Sequence, residues 1–112
     1  MTRSREGSLI QGNLDVLVLR ALSDGPSHGY GIARWVHAAT SGALVVEDRA
    51  LYIALHRLEE CGWLVASWRA SENNRRARYY RLSSSGRRAL ARKQREWSAH
   101  AAAMFKALGL EP

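Results

Sequence analysis

Apolar positions along the chain fall into helical stripes interrupted once by a pair of short alternating stretches. Leu14, Leu17, Val18, Ala21 and Leu22 recur at spacings of three and four, which predicts a first helix over about 13–23. Asn13 suits its N-cap, Asp15 falls in the first turn where the helix dipole favours a carboxylate, and Asp24-Gly25-Pro26 stops it. Tyr30, Ala33 and Val36, joined by Trp35, mark the apolar side of a second helix over about 28–40. Ser27 can cap it, His28 caps or packs at its start, and Gly29 and Gly31 weaken its intrinsic propensity, so packing must hold it. After a turn at Thr40-Ser41-Gly42, Glu47 and Asp48 cap a third helix over about 48–61, ended by Gly62. Its inner face is Leu51, Ala54, Leu55 and Leu58; its outer face carries Arg49, Tyr52, Ile53, His56 and Arg57.

Beyond Gly62 the period shortens towards two. Trp63 to Arg69 and Ala77 to Leu82 read as strands, and the polar segment between them makes a hairpin tip of Asn73, Asn74, Arg75 and Arg76, with asparagine suited to positive φ. Ser83 or Ser84 then caps a last helix running to about Leu108. The fold class is therefore mainly α with a small β-hairpin. Three helices followed by a hairpin is the order of a winged helix-turn-helix, in which the third helix enters the major groove and the wing lies along the backbone.

Charge sharpens this picture. The 112 residues carry a net charge of +7, which favours a polyanionic partner, nucleic acid or an acidic membrane surface. From Arg75 to Arg95 every charged residue is basic, a one-sign block denser than solubility alone requires. No apolar run approaches the roughly 20 residues needed to span a bilayer, and Met1 to Glu6 has no apolar h-region behind it, so no membrane partner and no secretory leader are expected. One cysteine, Cys61, excludes an internal disulfide and a zinc finger, and points to a reducing, cytoplasmic home. It is expected to be buried at a helix end and inert. His28, His37, His56, His100 and Cys61 show no ligand spacing, and there is no phosphate loop, G-x-S-x-G or carboxylate pair. No metal, cofactor or catalysis is expected.

Taken in order, Gly12-Asn13-Leu14-Asp15-Val16-Leu17-Val18-Leu19, Gly25-Pro26-Ser27-His28-Gly29-Tyr30-Gly31-Ile32, Leu51 to Glu59, Gly62-Trp63-Leu64, Trp68, Ser71 to Leu82 and Gly86-Arg87 closely resemble the PadR family of bacterial transcriptional regulators. The resemblance covers about 9–97. It implies a winged-helix head, a C-terminal helix that dimerises the protein, and repression from a near-palindromic operator; the single C-terminal helix resembles the smaller subfamily. It divides the chain into a basic arm over 1–8, a DNA-binding domain over 9–83 and a dimerisation helix over 84–112. The sequence departs from the family pattern at Arg49, where a glycine is usual, and at Ile53, where a proline is usual.

The residues expected to meet double-stranded DNA are Arg49, Tyr52, His56 and Arg57 from the third helix, with Asn73, Arg75 and Arg76 from the wing. The alternative for each is an ion pair with Glu59, Glu60 or Glu72; Arg78 and Arg81 are harder to assign, since alternate strand residues face opposite ways. The last helix has a heptad-like seam, Leu90, Trp97 and Met104 with Gln94, Ala101 and Leu108, suited to a homodimer or to folding back on its own head. In some small relatives an aromatic on this helix stacks on flat ligands, so the resemblance implies an effector site at Trp97, Met104 and Phe105 for a small aromatic molecule. A protein-interaction module that does not read DNA is the competing reading; an apolar Ile53 on the outer face favours it, and the basic wing opposes it.

Overall fold

The computed structural model describes residues 11–111, so the basic arm expected over 1–8 lies outside the described residues. The elements follow in the order α1 (Gln11–Ala21), β1 (Ser27–His28), α2 (Gly29–Ala39), α3 (Asp48–Glu60), β2 (Leu64–Ala70), β3 (Arg76–Leu82) and α4 (Ser84–Leu108). This is the winged helix-turn-helix anticipated from the pattern, with one strand more. β1 pairs antiparallel with β3, Ser27 opposite Tyr80 and His28 opposite Tyr79, making a three-stranded sheet in the order β1-β3-β2. Two residues leave no readable alternation, which is why only a hairpin is visible in the sequence.

The core forms where the stripes converge. Val18 and Leu19 of α1, with Leu22 in the turn after it, meet Ile32 of α2, Leu58 of α3 and the sheet residues Leu64 and Leu82. Each fully buried aliphatic side chain here contributes about 1.5–3 kcal/mol. The second helix departs from expectation: its stripe is Ile32 and Val36, four residues apart, while Tyr30 is 70% exposed. Gly29, one turn before Ile32, lies against the methyl groups of Leu51 and Leu55, so Tyr30 falls off the packed side.

Caps set the boundaries. His28, not Ser27, caps α2: its Nδ1 accepts the Gly31 N–H at 3.0 Å. Glu47 precedes α3 without a side-chain cap, and Gly62 leaves that helix at φ 84°, the left-handed conformation that a C-terminal glycine supplies cheaply. α1 starts earlier than expected, so Asn13 lies inside it and is free to act elsewhere.

One charged side chain is buried among the described residues. Asp15, 6% exposed, accepts two hydrogen bonds from Arg57, Nη1 to Oδ2 at 2.7 Å and Nη2 to Oδ1 at 2.9 Å. The pair ties α1 to α3 across 42 residues of sequence. The Asp15 carboxylate raises the Arg57 pKa further above its ordinary value by that hydrogen bond, against the cost of burial. α4 is fixed at its root: Ser83 caps it through Gly86 N–H at 3.0 Å, and the Ser83 and Ser85 hydroxyls both donate to the Gly62 carbonyl. A Cβ at Gly86 would collide with the Trp63 carbonyl oxygen, so this crossing requires glycine.

Replacing Asp15 by alanine leaves Arg57 half-desolvated and unpaired. Because the Arg57 side chain is 31% exposed, the expected loss is about 2–3 kcal/mol, at the low end for a buried pair. Urea unfolding should recover most of that loss in the double variant Asp15→Leu, Arg57→Met, where neither charge remains.

Candidate nucleic-acid interface

With Leu51, Ala54, Leu55 and Leu58 facing inward, α3 turns Arg49, Tyr52, Ile53 and His56 to solvent. The Tyr52 and His56 rings, one turn apart, lie 4.4 Å between centroids and tilted, which orders both. Arg57 does not join them. Its guanidinium is committed to Asp15, so the expectation that it meets DNA is corrected: it sits on the flank of α3 that packs against α1 and serves the fold. Its partner comes from the first helix rather than from the acidic neighbours on α3 and the wing.

Beside α3 stands the wing. β2 and β3 pair from Leu64 opposite Leu82 to Ala70 opposite Arg76, and the turn between them places Asn74 at φ 64°. Asn73, Arg75 and Arg76 are exposed at its tip, as expected from the sequence. Between wing and α3 runs an open groove of about 770 Å³, bordered by Tyr30, Arg34, Tyr52, Trp68 and Arg76.

Electrostatics separates structural arginines from available ones. Arg78 donates to Glu59 at 2.7 Å and thereby pins β3 to α3. Among the described residues, no carboxylate lies within 4.0 Å of Arg34, Arg49, Arg69, Arg75 or Arg76. The ion-pair alternative thus holds for Arg78 and fails for Arg49, Arg75 and Arg76. Several of the available guanidinium groups rest on aromatic faces instead: Arg76 lies 5.2 Å from the Trp68 ring centroid, Arg34 lies 5.6 Å from Tyr30, and Arg69 lies 4.1 Å from Tyr79. Such contacts orient the plane without neutralising it. Tyr30, Arg34, Trp68 and Arg69 were missed by the sequence reading. The i,i+4 spacing of Tyr30 and Arg34 was the available signal.

Besides the β1–β3 pairing, His28 brings the start of α2 close to the wing. With Nδ1 accepting from Gly31, the neutral His28 ring carries its proton on Nε2, which faces Glu72 Oε1 at 3.6 Å. The Glu72 carboxyl is held below its usual range, first by its own backbone N–H and then by His28. The His28 ring also meets Tyr79 edge-on at 5.0 Å.

On α4, Leu90 is buried in the core of its own head, so its expected place at a subunit interface is corrected. Gln94, Trp97, Met104 and Leu108 are exposed, while Ala101 and Phe105 are partly covered. Trp97, 50% exposed, donates its indole N–H to Asn13 Oδ1 at 3.0 Å, which lays α4 along α1. Cys61 is exposed rather than buried, because it is the C-cap residue on the solvent side of α3. Among the described residues no three His, Cys, Asp or Glu side chains group so as to hold a metal ion, and no helix is long and apolar enough to cross a membrane.

Comparison with known proteins gives consistent matches. A family model described as the transcriptional regulator PadR-like family matches residues 18–92. A transcriptional regulator from Clostridium thermocellum is 30% identical with a TM-score of 0.78, covering 87% of this chain and 94% of its own. A PadR family transcription regulator from Clostridium difficile is 26% identical with a TM-score of 0.72, over 85% of this chain and 97% of that one. Bacillus subtilis PadR, solved in complex with operator DNA, shares the fold at 20% identity and a TM-score of 0.63, over 70% of this chain and 45% of that one.

Two His28 variants separate its two contacts. Asparagine preserves a capping acceptor for Gly31 and removes the link to Glu72; alanine removes both. His28→Asn should melt within a few degrees of the parent yet exchange amide hydrogens faster over 71–75. His28→Ala should lose about 1 kcal/mol more, read by thermal unfolding.

Proposed function

The chain belongs to the PadR-like family of transcriptional regulators, and we propose that it is a cytoplasmic, dimeric repressor that binds an inverted-repeat operator. The observation that carries this reading is a set of arginines without a carboxylate partner among the described residues: Arg34 on α2, Arg49 on the exposed side of α3, and Arg75 and Arg76 at the wing tip, with Arg69 on the opposite face of the wing. Arg49 and His56 reach base edges in the major groove; Tyr52, Asn73, Arg75 and Arg76 hold phosphates. In this division the helix supplies sequence preference and the wing supplies affinity that depends on salt.

Dimerisation runs along α4 through Gln94, Trp97, Ala101, Met104 and Leu108, of which Trp97, Met104 and Leu108 leave apolar surface in water in the single chain. An effector that is small, flat and aromatic stacks on Trp97, flanked by Met104 and Phe105, and releases the DNA. The hydrogen bond to Asn13 supports this, since it fixes the indole plane while leaving the ring half exposed.

Selection from a random duplex library tests the reading. An enriched inverted repeat with half-sites about one helical turn apart is expected; the absence of any enrichment would favour a protein-interaction module instead. Arg75→Ala with Arg76→Ala should weaken binding on every duplex alike and reduce the salt slope by about 0.9 for each phosphate no longer neutralised. Met104→Asp with Leu108→Asp should give a folded monomer by sedimentation, with DNA affinity reduced at least tenfold.

A further inference from the structure

The exposed side of α3 is not uniformly polar. Opposite its buried stripe, Arg49, Ile53 and His56 point outward, with Glu60 closing the row in the last turn. Tyr52 flanks this row on the wing side, and Arg57, held by Asp15, flanks it on the other. Ile53 is 49% exposed in the midst of these polar groups, one turn beyond Arg49. Its branched side chain is stiff at χ1 in a helix, so it presents its methyl groups in a fixed place. No hydrogen-bonding capacity accompanies it.

We propose that Ile53 is a specificity-determining residue that packs against the 5-methyl group of a thymine, next to a guanine bound by Arg49; this rests on the DNA-binding reading above. The thymine methyl is the one apolar feature that base pairs display in the major groove, and an aliphatic side chain meets it without stranding a donor or acceptor. Arg49 offers the paired donors that guanine O6 and N7 accept. The two residues are one turn apart, about 6 Å along the helix axis, and residues at that spacing on a helix in the major groove reach neighbouring bases. The guanine and the thymine therefore lie within about two steps of each other in every half-site. Cytosine at the thymine position carries only a hydrogen at C5, so the methyl contact with Ile53 is lost and cytosine is disfavoured.

Deoxyuridine isolates the methyl group, because it leaves every hydrogen-bonding atom of thymidine in place. Duplexes enriched by the parent protein are resynthesised with each thymidine of a half-site replaced in turn by deoxyuridine, and affinities are measured for the parent and for Ile53→Ala. The parent should lose about three- to fivefold at one position per half-site, the value of one buried methyl. Ile53→Ala, whose exposed position leaves the melting temperature unchanged, removes the contact from both half-sites, so it should bind the thymidine duplex about nine- to twenty-five-fold more weakly than the parent and show no further loss with deoxyuridine. Arg49→Ala should relax the preference for guanine within two steps of that thymine while retaining the sensitivity to deoxyuridine. If the parent binds an enriched duplex but tolerates deoxyuridine everywhere, or if Ile53→Ala remains as sensitive as the parent, the assignment of Ile53 is overturned while the regulator reading stands. If nothing is enriched, both fall together.

Discussion

Everything in the head is referred to the pair that Asp15 makes with Arg57. It joins the first helix to the third through two parallel hydrogen bonds, a geometry that restricts rotation as well as distance. Apart from this pair and the Glu59–Arg78 bridge to β3, α3 is held by aliphatic contacts, which resist separation but permit sliding. A bidentate ion pair at its flank removes that freedom and fixes which residues face outward. The outward set, Arg49, Tyr52, Ile53 and His56, is thus a consequence of a contact that none of them makes. The second helix adds Tyr30 and Arg34 to the same side through its cap at His28.

The wing follows a similar logic with softer parts. Arg78 and Glu59 pin its base to α3, and His28 reaches Glu72 near its tip. Between these two anchors, Trp68 and Tyr79 supply faces on which Arg76 and Arg69 lie. A guanidinium resting on a ring loses side-chain freedom before any partner arrives, so less is lost on binding. Its charge stays intact. A carboxylate in the same place would order the arginine equally well and cancel its attraction for phosphate. Arg78 is thus set apart from Arg69, Arg75 and Arg76: of these wing arginines it alone is spent on an ion pair within the fold.

The sequence revealed elements better than it revealed neighbours. Gly62, the Asn73-Asn74 turn and Ser83 are local signals, each acting within a few residues of itself, and the hairpin and the last helix followed from them. Tyr30 was misassigned because apolar character does not distinguish a ring that packs from a ring that borders a groove; Ile32 four residues from Val36 was the better stripe. β1 was invisible because two residues carry no period. Arg57, Leu90 and Asn13 share one cause. Periodicity says which side of a helix a residue occupies, but Asp15, the core of the head and Trp97 are reached only through the tertiary fold. The exposure of Arg49, Arg75 and Arg76 was legible because nothing distant claims them.

The way α4 is rooted has a consequence for operator architecture. At about 1.5 Å per residue its 25 residues extend about 37 Å, yet only the first two turns, at Gly86, Ala89 and Leu90, are buried in the head. The helix then runs along α1 as far as Trp97, whose indole reaches Asn13, and the turns beyond it overhang. In two copies joined along that overhang, the point at which the helices cross acts as a ruler for the distance between the reading heads. Moving the crossing by one turn displaces each head by about 5.4 Å, more than one base-pair rise of about 3.4 Å. In the proposed dimer, substitutions far out on α4 would thus retune the gap between half-sites while every residue proposed to touch a base stays the same, so operator spacing and operator sequence would evolve separately.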